Sequence, residues 1–194
     1  MTEASQRRAG RVALALLGVV AVVAYLVDQL TKQAVVTSMT EGERIPVLGE
    51  ALVLHFVRNP GAAFSMASGS TWIFSILASA VVVFIIVFAR RIASPAWAVV
   101  FGLLLGGVLG NLTDRLVREP SFGLGHVIDF ISTPWMMPAI YNVADICIVS
   151  SMILLVLLTL RGVNLDGSRE TSRQTASPAA GDDERPGTGT DVSS

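Results

Sequence analysis

The sequence predicts an all-α membrane protein: a four-transmembrane-helix bundle with a small extracytoplasmic β-sheet and an extracytoplasmic loop or partial helix. Three observations carry this. Of 194 residues, 52% are hydrophobic and only 15% charged, whereas a soluble domain charges about a quarter of its residues. The apolar residues gather into four runs near the length of about 20 that crosses a bilayer. The polar residues within and beside those runs fall at one depth.

The runs cover about residues 12–36, 71–89, 95–117 and 140–160. Arg7, Arg8 and Arg11 precede the first, as in a cleaved signal peptide. Its apolar stretch is longer than a usual signal core, and three more spans follow, so it is read as a retained helix. Basic residues set the direction. Arg7, Arg8, Arg11, Arg90, Arg91, Arg161, Arg169 and Arg173 flank one side. Arg44, Arg58 and Arg118 on the other are diluted by Glu41, Glu43, Glu50 and Glu119. Both termini are therefore expected in the cytoplasm. The domain plan is a cytoplasmic N-terminus over residues 1–11, a membrane domain over 12–162, and a tail over 163–194. That tail is rich in Ser, Thr, Gly, Pro and mixed charge, has little to bury, and is expected to be disordered.

Two connections face outward. In the first, Ile45–Gly49 and Ala51–Val57 read as short strands broken at Gly49-Glu50, a small sheet at the membrane surface. The second, about residues 118–139, is expected as a loop or partial helix, with Trp135 at headgroup level. No basic patch with interleaved aromatics points to nucleic acid. Cys147 is the single cysteine; it excludes an internal disulfide and reads as a small buried hydrophobe. His55 and His126 are isolated and no HExxH occurs, so neither a metal nor another cofactor is expected.

Each ionisable group in a span costs roughly 2.5–3.5 kcal/mol on insertion scales and needs a reason. At a rise of about 1.5 Å per residue, Asp28 lies some ~25 Å beyond Arg11, near the outer surface. Asn111, Asp114 and Arg115 occupy the last turns of the third helix, and Asn142 and Asp145 the first turns of the fourth. Asn59 precedes the second helix on the same side, and Asp129 lies in the second outer connection. Asp28 and Lys32 are spaced to pair at i,i+4. Gly102, Gly106 and Gly110 form a small-residue ridge suited to close helix packing. Asp114 continues that ridge into the bundle, with Arg115 beside it as a possible structural ion partner. Asp129, set in Val127-Ile-Asp-Phe-Ile131, is either a loop cap or a carboxylate lowered opposite Asp145. Two such carboxylates cannot both ionise easily, so one serves as acid and one as base. Their titrations are coupled, and neither is the sole base by sequence.

Five stretches then resemble one family, the lipoprotein signal peptidases (signal peptidase II). They are Asp28-Gln-Leu-Thr-Lys32, Asn59-Pro-Gly-Ala-Ala-Phe64, Gly106-Gly-Val-Leu-Gly-Asn-Leu-Thr-Asp-Arg115, Val127-Ile-Asp-Phe130 and Tyr141-Asn-Val-Ala-Asp145, in the family's order. The resemblance implies an aspartic endopeptidase of the bacterial cytoplasmic membrane. Its substrates would be prolipoproteins bearing diacylglycerol on a cysteine, cut just before that residue. It implies Asp129 and Asp145 as the catalytic dyad, and Asn59, Gly61, Asn111, Asp114, Arg115, Asn142 and Ala144 as residues that shape or line the site. Asp28 and Lys32 would support its structure. Pro60 stands at a variable position, and Tyr141 replaces the commoner Phe. Membrane lipids and the lipidated precursor are the expected partners, and a monomer is expected to suffice. The precursor's signal helix is expected near the glycine ridge of the third helix. Two other readings compete. A serine–lysine peptidase would use Ser65 or Ser68 with Lys32, although Asp28 would keep that lysine charged. A proton- or ion-coupled transporter would use the aspartates, but such sites lie near the midplane between internal repeats.

Overall fold

The computed structural model describes residues 3–61 and 71–168. Four helices among the described residues are long and apolar enough to span a membrane. They are α1 (Glu3–Ser38), α2 (Thr71–Phe88), α3 (Pro95–Val117) and α4 (Val143–Leu160). Between α1 and α2 lie strands β1 (Arg44–Pro46) and β2 (Val53–Asn59); between α3 and α4 lie β3 (Val127–Ser132) and β4 (Ile140–Tyr141).

The helix surfaces are apolar on the outside. Val83, Phe84, Ile86 and Val87 of α2, and Val19, Val22, Val23 and Leu30 of α1, are all exposed. Such faces are stable only against lipid. The inner faces use small residues. Among lipid tails the drive for association is close packing, which glycine permits. A Cβ on Gly106 would stand 2.6 Å from the Ala21 carbonyl oxygen and 2.7 Å from the Ala24 Cβ. On Gly102 it would meet Val20 and the Leu17 carbonyl. The ridge is therefore occupied by α1. On the next face of α3, Gly107 lies against the Ala144 carbonyl of α4. This makes α3 the central helix, with buried residues from Trp97 to Asp114.

The four strands form one antiparallel sheet in the order β1-β2-β3-β4. The first outer connection thus supplies strands as expected. The second differs from the loop or partial helix read from its Gly, Pro, Trp and Met content, because it supplies β3 and β4. Val127-Ile-Asp-Phe-Ile-Ser132 pairs with β2, placing Asp129 opposite Val57 and Val127 opposite Asn59. Phe56, Ile128 and Phe130 bury against Val35 and Met39 at the end of α1. Packing on both faces of β3 explains why its apolar residues flank Asp129 on both sides without the alternation of a half-exposed strand.

The fourth span was read from about residue 140, but the helix begins at Val143. Asn142 is its N-cap: its side chain accepts from the Asp145 N–H, and the Asp145 side chain accepts from the Asn142 N–H, a capping box. Residues 163–168, assigned by sequence to the tail, form a turn whose Leu165 carbonyl accepts from Ala93 and Ser94 N–H, at 3.0 and 2.9 Å. Trp97 Nε1 donates to the Val163 carbonyl at 2.9 Å. Residues 169–194 lie outside the described residues.

Replacing Gly106 with leucine should cost about 1–3 kcal/mol, the usual range for overpacking, because backbone stands in the way. Gly18→Ala, where an added Cβ meets nothing within 4 Å, should not destabilise. Unfolding titrations in micelles test this; equal losses would refute the packing assignment.

Candidate active site

The site is assembled around a lysine. Lys32 is fully buried and has three N–H groups. They meet Asp28 Oδ2 at 2.8 Å, Asp114 Oδ2 at 2.8 Å and Asn111 Oδ1 at 2.9 Å. Every donor is used, and a cation here neutralises charge that would otherwise be stranded. Asp28 spends its other oxygen on the Ala144 N–H at 2.9 Å, in the first turn of α4, where the helix dipole favours an anion. Asp114 accepts from Arg118 Nε at 2.6 Å and from the Ile128 N–H at 3.3 Å. The ion partner of Asp114 is thus Lys32 with Arg118, one turn on; the expectation of Arg115 is corrected. Gln29 adds a donor to Asp28 and to the Gly110 carbonyl, both at 3.1 Å.

The lysine fixes the amides above it. Because Lys32 can only donate, Asn111 must present its oxygen to it and its nitrogen elsewhere. That nitrogen donates to Asp145 Oδ1 at 2.8 Å. Asn142 offers its oxygen to the Asp145 N–H at 3.0 Å, and its nitrogen to Asp129 Oδ1 at 2.7 Å and Asn111 Oδ1 at 3.1 Å. Asn59 accepts from the Gly61 N–H and donates to Asp129 Oδ2, both at 2.8 Å. Gly61 has φ +96°, and an added Cβ would press 2.9 Å from Phe74. Glycine therefore lets the chain turn and carry Asn59 to its partner.

Asp129 and Asp145 thus come together, joined by Asn142, which donates from its side chain to one and from its backbone to the other (3.1 Å). Asp129 is buried and Asp145 half-buried. Burial pushes the Asp129 carboxyl up to about 6; the Asp145 charge reinforces this, and hydrogen bonds from Asn59 and Asn142 oppose it. Arg115 turns away from Asp114. Its Nη1 donates to the Asn111 carbonyl at 3.1 Å, its guanidinium lies over Phe74, and its Nε is buried without a hydrogen-bond partner among the described residues. Its charge remains within electrostatic reach of both Asp129 and Asp145.

Asp28, Lys32, Asn59, Gly61, Asn111, Asp114, Arg115, Asp129, Asn142, Ala144 and Asp145 all reach this cluster. Arg118 and Gln29 were missed, though the i,i+4 spacing of Asp114 and Arg118 announces the first. Ser65, Ser68 and Phe64 lie outside the described residues. Lys32, saturated by three acceptors, is not a free base.

This architecture defines a multi-pass membrane protein with two carboxyl groups gathered at one end of its bundle. A family described as signal peptidase (SPase) II matches residues 20–161. A lipoprotein signal peptidase of Leifsonia xyli subsp. xyli is 57% identical over 179 residues, spanning 90% of this chain and 82% of the relative. One from Rhodococcus jostii is 46% identical, over 80% and 77% of the two chains. A solved structure described as a bacterial membrane enzyme superposes with a TM-score of 0.67 at 28% identity, covering 80% of this chain and 92% of that one. The chain belongs to the signal peptidase II family, and it is a membrane peptidase.

Lys32→Met should destabilise the fold by about 3–5 kcal/mol, since it leaves the buried Asp28 carboxylate without a cation and Asp114 with Arg118 alone. Adding Asp28→Asn and Asp114→Asn should restore part of that loss. Thermal unfolding in detergent reads both effects, and an undiminished Tm for Lys32→Met would contradict the role given to the lysine.

Proposed function

We propose that this peptidase removes the signal peptide from diacylglyceryl-modified prolipoproteins, cutting before the lipidated cysteine, with Asp129 and Asp145 as its catalytic residues. The observation that carries this is the pairing of two acids through Asn142, with one of them shifted toward neutrality by burial. The names of the relatives supply the substrate class. The excess of arginine at the end opposite the carboxylates favours a cytoplasmic position for both termini. On that reading the sheet and both aspartates lie at the outer face of the bacterial cytoplasmic membrane. A single copy contains every group the mechanism uses.

The chemistry follows from one shared proton. One carboxylate takes a proton from water as the oxygen attacks the scissile carbonyl carbon. The protonated partner donates to the carbonyl oxygen, giving a neutral tetrahedral diol. Collapse breaks the C–N bond: the proton first taken from water passes to the departing nitrogen, and one diol hydroxyl returns its proton to the carboxylate that had donated to the carbonyl oxygen, so the pair again holds one proton. The products are the signal peptide's carboxyl group and a free amine on the lipidated cysteine. No covalent enzyme intermediate forms. With the group at about 6, roughly one free molecule in ten still holds that proton at pH 7. An apolar, lipid-bearing substrate excludes water and raises that fraction. The Arg115 guanidinium, within electrostatic reach of both aspartates, is the nearby cation that would favour negative charge developing on a substrate carbonyl.

Purified enzyme should cleave a diacylglyceryl-modified precursor, and Asp129→Asn or Asp145→Asn should each reduce kcat by at least about 10²–10⁴ while remaining folded. Normal turnover by either variant would remove the dyad assignment. In the pH profile, kcat/KM should fall as pH rises through about 6, because the acid of the pair is then lost. Asn59→Ala withdraws a hydrogen bond that favours the ionised form, so this limb should move to higher pH. A downward movement would contradict the assignment of Asp129 as the group observed.

A further inference from the structure

At the end of the bundle opposite the aspartates, a crevice of about 820 Å³ opens between the start of α1, the turn after α2 and residues 166–168. Arg7, Arg11 and Arg90 line it, all with exposed side chains. Asp166 is the one acidic group among the described residues of its wall, and that carboxylate is engaged by its own turn, accepting from the N–H and hydroxyl of Ser168 at 2.8 and 2.7 Å. Among the described residues neither Arg11 nor Arg90 has a salt-bridge partner. Leu14 adds an exposed apolar side chain to the lining, and Gly10 leaves an open space where a Cβ would meet nothing within 4 Å.

Depth decides what such a crevice meets. The apolar surface of α1 begins at Val12 and that of α2 ends at Phe88, so the arginines stand at the boundary between hydrocarbon and water. That layer holds phosphate groups, each tied to glycerol and acyl chains. Arginine forks match phosphate oxygens geometrically, and basic pockets between membrane helices are suited to anionic headgroups. We propose that this crevice binds the headgroup of an anionic phospholipid, with Arg11 and Arg90 on the phosphate and the start of the acyl chain along Leu14. The site is distinct from the carboxylate pair and lies at the other end of the helices. Its role is to fix the height and tilt of α1 and α2 in the bilayer.

The probe is phosphatidylglycerol, titrated onto the full chain in neutral detergent and read by native mass spectrometry. Wild type should hold it saturably, with phosphatidylcholine binding far less. Arg11→Gln with Arg90→Gln should weaken binding by at least about tenfold, since each arginine near a charged surface is worth about 1 kcal/mol. Gly10→Leu, which fills the crevice without changing charge, should weaken it as well. Arg8→Gln with Arg161→Gln removes the same charge at positions outside the crevice and should leave binding unchanged. Equal weakening by that control pair, or wild-type binding in the crevice variants, would overturn the site. Displacement of the lipid by an equal concentration of inorganic phosphate would mark a free-phosphate site and overturn the lipid assignment.

Discussion

The buried ammonium of Lys32 is the constraint on which the rest of the structure depends. It joins α1 to α3 through Asp114 and Asn111, and α1 to itself through Asp28. Inside a bundle with lipid outside, an ion pair gains nothing unless every lone pair and proton is matched. Here each is matched, and the matching has direction. A group that only donates forces the orientation of Asn111, which in turn presents an N–H to Asp145. Support and site are thus one hydrogen-bonded network, with the polarity of each amide inherited from the layer beneath.

The second constraint is the junction of sheet and helix. Asp145 sits at N3 of α4 and caps it, while Asp129 sits on a strand whose register is fixed by β2. A helix start and a strand position are both rigid placements, which fixes the two carboxyl groups relative to each other. Asn142 spans the two as the last residue before the helix. It therefore carries both a structural and a positioning task, consistent with its complete burial.

Much of this was legible in the sequence. Helix spans follow from run length, and the pairing of Asp28 with Lys32 and the glycine ridge follow from helical spacing. Three features were not legible, each for a physical reason. β3 is buried on both faces, so it shows no alternation and reads as a generic apolar loop. The start of α4 was placed a few residues early because Ile140 and Tyr141 are as apolar as the helix they precede; the Asn-x-x-Asp signature of a capping box was the available signal. The partner of Asp114 was misassigned because adjacency in sequence is not adjacency on a helix: Arg115 points toward α2, and Arg118, one turn on, returns to the same face. That the ridge is filled by α1 depends on which helices neighbour each other, which no local pattern states.

The bond from the Ala144 N–H to Asp28 crosses 116 positions of the chain. A polypeptide emerging from its N-terminus therefore inserts α1, α2 and α3 before the groups that complete the polar cluster have been made. Until α4 arrives, Asp28 has Lys32 and Gln29 but not the Ala144 N–H, and neither Asn142 nor Asp145 has been made, so the polar cluster closes only with the last helix.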